Sequence, residues 1–248
     1  MRGFCIFLLI AILAVGWAIL LSWNKIDLTA YPICVDYRAL NQAQAQVMDA
    51  ILLCGASGET IIEQNLSAKE FDQVIDCIGL YFGSNLVHMN VALWRPGYAE
   101  VKPDLLKTLH RDKAVLDYEI DRILSNMYEG TDRFKLWQIS RYLAKTVRYS
   151  LDIDHIEPLS GLSGRGSCMT YAMLFYKMAA RLGIPVQICY GYADNGQTVS
   201  LHAWNMAEVN GQPRFYDITW YDNIVPDARY IHSKSPWGRK FCDSRHSF

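Results

Sequence analysis

Between Arg38 and Cys54 the apolar side chains Leu40, Ala43, Val47, Ile51 and Leu52 recur every three or four positions, which predicts an amphipathic helix closed at Gly55. Thr60–Glu63 is short and β-branched and predicts a strand. Ser67 and Glu70 then form a reciprocal capping pattern ahead of Phe71, Val74, Ile75, Ile78 and Tyr81, a second helix. Val87, Met89, Val91 and Leu93 alternate with His88, Asn90, Ala92 and Trp94, the pattern of a half-buried strand. Helical periodicity returns over Val115–Met127 and over Thr131–Val147, with Glu129-Gly130 as the stop between them. Farther on, Val186–Tyr192 predicts a strand. Val199–Val209 and Pro213–Thr219 predict a pair joined by Asn210-Gly211, the strongest short hairpin signal.

One stretch breaks this amphipathic rhythm. Phe4–Trp23 carries no charge and has the length of one bilayer-spanning helix. Arg2 precedes it, while Lys25, Asp27 and Asp36 follow, so the positive-inside tendency predicts a cytoplasmic amino terminus with the rest of the chain outside the cytoplasm. The competing reading is a signal peptide cleaved near Ala14-Val15-Gly16, with secretion as its outcome. The expected organisation is an anchor over residues 1–24, a small α/β unit over 25–108 and a catalytic domain over 109–248. The boundary is placed near residues 104–114.

Composition narrows the function more than the fold. A net charge of -1, with no run of about five like charges, lacks the basic footprint that a nucleic-acid backbone requires. The seven cysteines form no C-x-x-C pair and no zinc-type spacing with histidine, so no metal is expected. No phosphate loop, cofactor fingerprint or H-E-x-x-H run occurs, and no cofactor is implied, calcium included. Several cysteines read as small buried hydrophobes. His88, His110, His155, His232 and His246 are isolated and read as structural.

Chemistry concentrates at three positions. Cys168 directly follows the small-residue loop Gly161–Ser167 and opens an apolar-periodic run through Ala172, Phe175, Tyr176, Ala179 and Leu182, ended by Gly183-Ile184-Pro185. Free N–H groups and the positive dipole end at a helix start favour a thiolate there, and the glycines leave room for a substrate backbone. In the hairpin, a two-residue turn sets Val209 opposite Gln212 and hence Trp204 opposite Asp217. His202 and Asp217 then become diagonal neighbours on one face, roughly 7–8 Å apart at the backbone. A carboxylate on one ring nitrogen fixes the tautomer and leaves the other nitrogen to exchange a proton with a thiol. Any one of these residues alone is more often structural; their common placement is what carries the reading.

These motifs, Gly-Ser-Cys168 opening a helix, Leu-Gly-Ile-Pro185, the Tyr-Gly-Tyr192 strand, His202-Ala-Trp-Asn205 and Tyr216-Asp217-Ile-Thr-Trp220, resemble the transglutaminase-like superfamily from about Val115 onward. Tyr230, Trp237 and His246 resemble it less tightly. Residues 24–104 carry no matching motif. The resemblance implies an α+β, papain-like fold in which a helix bearing the cysteine packs on an antiparallel sheet bearing the histidine and aspartate. It also implies a Cys168-His202-Asp217 triad that forms a thioester on a peptide or protein substrate. Ile218 stands where the family usually has proline, a change of packing rather than chemistry. Tyr149 and Trp204 are candidates to line the cleft or supply oxyanion donors. Arg165 is a candidate to steer substrate, and Asn205 to brace its strand. Peptidase or amidase activity is preferred over cross-linking, and a non-catalytic peptide-binding module of the same fold is the further alternative.

Overall fold

The computed structural model describes residues 40–84, 91–150, 157–194, 199–222, 228–234 and 239–241. The apolar Phe4–Trp23 run lies outside them. So do Val87–Asn90 of the predicted strand, Trp237, the histidines at 88, 155 and 246, and the cysteines at 5, 34 and 242. Among the described residues no helix is long and apolar enough to cross a membrane, and no three His, Cys, Asp or Glu side chains are grouped to hold a metal ion.

The first half is built from α1 (Gln42–Ser57), β1 (Ile61–Glu63), α2 (Ala68–Phe82), β2 (Ala92–Arg95) and β3 (Tyr98–Val101), with the strands in the antiparallel order β1-β3-β2. Helix α1 passes through Gly55 and ends at Gly58, whose φ of 78° supplies the left-handed cap. Gly55 has a different task. A Cβ there would come within 3.1 Å of Leu106 and 3.2 Å of His110, so glycine permits the helix Pro103–Leu124 to approach. The capping box at Ser67 forms as its spacing predicts, the Glu70 N–H donating to Ser67 Oγ and the Ser67 N–H to the Glu70 carboxylate. Strand β3 was not predicted. Its signal was Pro96-Gly97, a proline followed by a glycine at φ 87°, which turns β2 back on itself.

Helix α3 runs from Pro103 to Leu124, twelve residues earlier than the predicted start at Val115. Proline at the first helical position costs nothing, because its missing N–H would have no partner within the helix anyway. The apolar pattern broke near residue 112 because the helix changes cores. Leu106 and Leu109 pack with the amino-terminal cluster, whereas Leu116, Ile120 and Ile123 pack with the second. The expected boundary at 104–114 therefore falls inside one continuous helix.

The second half comprises α4 (Asp132–Thr146), β4 (Arg148–Tyr149), α5 (Pro158–Leu162), β5 (Arg165–Gly166), α6 (Cys168–Arg181), β6 (Val186–Asp194), β7 (Val199–Val209), β8 (Gln212–Tyr216), α7 (Ile218–Tyr221) and β9 (Arg239–Phe241). The large sheet has order β8-β7-β6-β9, every pair antiparallel. Helix α6 is central. Tyr171, Leu174, Phe175 and Met178 bury against α3 and α4, while Ala172 and Met173 face Ile188 and Ala203 of the sheet, with Leu80 of α2 in the same cluster. Burial on two sides removes the wet stripe a surface helix would show. The result is mixed helix and antiparallel sheet, with the cysteine-bearing helix lying on the strands that carry the histidine.

Candidate active site

Ser167 ends the glycine loop as N-cap of α6, its N–H donating to Thr170 Oγ1 at 3.1 Å, and this sets Cys168 at the first helical position. The loop is tight around Thr170. A Cβ on Gly166 would stand 2.5 Å from Thr170 Cγ2 and 2.6 Å from its Cβ, and a Cβ on Gly161 would also be 2.5 Å from Cγ2. Thr170 is itself fully buried. Gly166→Ala is thus expected to lose about 1–3 kcal/mol of stability through overpacking and to slow alkylation of Cys168. Denaturant unfolding and a timed alkylation assay read the two effects.

The hairpin register is the one the Asn-Gly turn dictates. Val209 pairs with Gln212 and Asn205 with Tyr216, and Asn210 and Gly211 both have positive φ, 54° and 70°. The structure departs from expectation beyond Tyr216. The strand does not reach Thr219; Asp217 instead caps the short helix α7, its Oδ1 accepting from the Trp220 N–H at 3.1 Å. An aspartate before a helical turn competes with the sheet ladder for the backbone, and here it wins. Its own N–H donates to the Tyr230 carbonyl at 2.7 Å, which anchors the corner.

His202 and Asp217 nonetheless meet. His202 Nε2 lies 2.7 Å from Asp217 Oδ2, with the histidine side chain 6% and the aspartate side chain 2% exposed. Cys168 stands near enough to His202 to act on its titration. Since Asp217 occupies Nε2, Nδ1 is the nitrogen left for the thiol. Cys168 is partly exposed, so the sulfur is the accessible member of the cluster. Burial pulls the His202 pKa down, but the hydrogen bond to Asp217 and the nearby Cys168 outweigh it and raise the group from 6.5 to about 9.

Because the folded value lies above the unfolded one, the stabilisation is fully present below pH 6.5 and is lost as pH rises through about 9. An NMR titration of the His202 ring is expected to give a midpoint near 9. Replacing Asp217 by Ala should move that midpoint down.

The neighbouring aromatics take separate positions. Trp204 is 1% exposed and stacks on the His202 ring, centroids 6.0 Å apart at 23°. It backs the imidazole from the core and does not form an open cleft wall. Tyr149 is about half exposed, and β4 pairs in parallel with β5, setting it opposite Gly166 beside the cysteine loop. Its phenol is pushed up by burial, then by Cys168 and Asp217, which puts it within the electrostatic reach of both. Arg165 is exposed on β5. Asn205 is buried and donates from Nδ2 to Ala172 O at 3.0 Å and Gln187 O at 3.3 Å, bridging α6 to β6.

Sequence reasoning did not single out Trp220, whose indole lies 5.7 Å from His202 and packs edge-on to Tyr230. The signal was its place three residues after an aspartate N-cap. Of the other described cysteines, Cys54, Cys77 and Cys189 are buried thiols outside any disulfide. His110 packs edge-on to Phe82, and His232 shares a hydrogen bond with Tyr216.

Residues 121–222 match the model of the transglutaminase-like superfamily, so this chain carries a transglutaminase-like domain. A search of curated proteins found no significant match. Three solved structures resemble the fold at a distance. The first is a candidate cysteine protease from Cytophaga hutchinsonii, with 19% identity, TM-score 0.37, and 43% of this chain aligned to 37% of that one. A structure described as a TGase has 15% identity, TM-score 0.40, and 49% aligned to 40%. A candidate protease from Parabacteroides distasonis has 13% identity, TM-score 0.30, and 41% aligned to 22%. The chain therefore spans well under half the length of each of these structures.

Proposed function

We propose that the domain is a thiol acyl-transfer enzyme, a cysteine peptidase or amidase, that opens peptide or protein amide bonds through a thioester on Cys168. The observation that carries this reading is the 2.7 Å His202–Asp217 contact on an imidazole whose titration also responds to a cysteine at a helix start. Cys168 Sγ attacks the amide carbonyl carbon after its proton passes to His202 Nδ1. The C–N bond then breaks as Nδ1 returns that proton to the leaving amine. Water, deprotonated by the same nitrogen, attacks the thioester, releases a carboxylic acid and restores the thiol. Asp217 keeps Nε2–H oriented and balances the imidazolium. The Cys168 N–H and the Tyr149 hydroxyl are the candidate oxyanion donors, the latter because it stands beside the cysteine loop.

Hydrolysis is preferred over amine transfer because the partly exposed thiol and half-exposed Tyr149 leave the thioester within reach of water. A glutamine peptide offered together with a labelled amine tests both steps. The expected result is ammonia release or cleavage exceeding amine incorporation, with neither occurring in Cys168→Ala. Equal labelling of wild type and Cys168→Ala by thiol-alkylating reagents at low stoichiometry would overturn the nucleophile assignment. We further propose that Phe4–Trp23 anchors the domain on the extracytoplasmic face, where protease added to intact cells should reach it.

A further inference from the structure

Away from the Cys168 cluster, the start of α4 and the 231–232 segment enclose a cleft of about 520 Å³. Its walls combine two chemistries. Phe134 and Trp137 lie nearly parallel, centroids 5.7 Å apart at 18°, and each is more than a third exposed. Beside them stand Arg133, His232 and Tyr216. Arg141 of the same helix lies over the Trp137 ring at 5.1 Å, yet both rings stay more than a third exposed, and a cleft of this size holds an aromatic residue with its polar end.

The charge of the cleft has one sign. Arg133 and Arg214 both act on His232 and Tyr216, and neither has an ion-pair partner among the described residues. Burial, followed by the two guanidiniums, pushes His232 down to about 4, so the ring is neutral at ordinary pH. Its Nδ1 lies 2.8 Å from the Tyr216 hydroxyl. With that hydroxyl donating, Nε2–H is the ring's remaining donor. His232 holds this position at a left-handed φ of 53°, a region that non-glycine residues enter rarely and histidine more readily than most. A guanidinium takes a carboxylate bidentately, and stacked aromatics take a ring.

We propose that this cleft is a second ligand site, separate from the Cys168 cluster, for an aromatic carboxylate of about one residue's size, either a free acid or the terminal residue of a peptide. The ring packs on Trp137 and Phe134, and the carboxylate meets Arg133 and the His232 N–H. None of the lining residues belongs to the triad, so the site stands or falls independently of the acyl-transfer reading.

Calorimetric titration of the full-length protein with N-acetylphenylalanine and with N-acetylphenylalaninamide tests it. One acid molecule is expected to bind per chain, at least tenfold tighter than the amide. Arg133→Gln, a change at an exposed side chain, should erase that preference while leaving the amide affinity, and Trp137→Ala should weaken both at least fivefold. Alkylation of Cys168 should change neither. A Gly-Gly-Phe peptide binding more tightly than N-acetylphenylalanine supports the site with a chain terminus as ligand, and the reverse order supports it with a free acid. Equal affinity for acid and amide, indifference to Arg133→Gln, or loss of binding on Cys168 alkylation would overturn the proposal.

Discussion

Asp217→Asn is expected to lower kcat/KM on amide substrates by about a hundred- to ten-thousandfold while leaving stability within about 1 kcal/mol of wild type above about pH 9, where the His202 contribution is already lost. Both carboxylate oxygens receive a donor: Oδ2 from His202 Nε2–H and Oδ1 from the Trp220 N–H. An amide has one acceptor oxygen, so it satisfies only one of them. Asparagine caps a helix as well as aspartate does, and keeping the cap turns its NH2 toward the imidazole. The ring must then accept at Nε2 and carry its proton on Nδ1, the nitrogen that has to take the thiol proton. The wrong tautomer disables the base without unfolding the corner. Steady-state kinetics beside denaturant unfolding separate these effects. A variant that keeps its activity would remove Asp217 from the mechanism, and one that loses activity only in proportion to folded protein would make its role structural.

Phe175→Ala is expected to destabilise the protein by about 3–5 kcal/mol, the range for a fully buried aromatic truncated in a core. The ring is 0% exposed on α6 and lies 5.0 Å from the Tyr216 ring at 31°. Tyr216 directly precedes Asp217, so this contact joins the element bearing the nucleophile to the element bearing the carboxylate. The cost should exceed that of a peripheral truncation. Leu53→Ala, at a position 66% exposed on α1, should shift stability by less than about 0.5 kcal/mol. Urea midpoints of the two variants provide the comparison.

The parts of the site that sequence made legible share one property: each is set by local chemistry. Asn210-Gly211 fixes the hairpin register because few other pairs accept two positive φ values, and the glycine-framed Cys168 marks a helix start because a helix and its cap announce themselves within a few residues. What stayed hidden depends on partners distant in the chain. The strand expected to run through Thr219 stops at Tyr216, since Asp217 engages Trp220 and Tyr230 instead of the ladder. The beginning of α3 was obscured because its apolar side chains serve two cores in turn. Gly55 looked like a terminus but is a point of close helix contact, which only the position of Leu106 and His110 reveals. Trp204 looked like a cleft residue because it neighbours His202 in sequence; its burial follows from pairing with Cys189 at the middle of the sheet.

The account rests on a sulfur-bound acyl group, and rapid acid quenching of enzyme with a peptide amide, followed by mass analysis of the intact chain and its peptides, looks for that species directly. The prediction is an acyl adduct on Cys168 that forms before product, is released by hydroxylamine and is absent from His202→Ala. Turnover at the wild-type rate with no adduct on Cys168, or with the adduct on another residue, would contradict it.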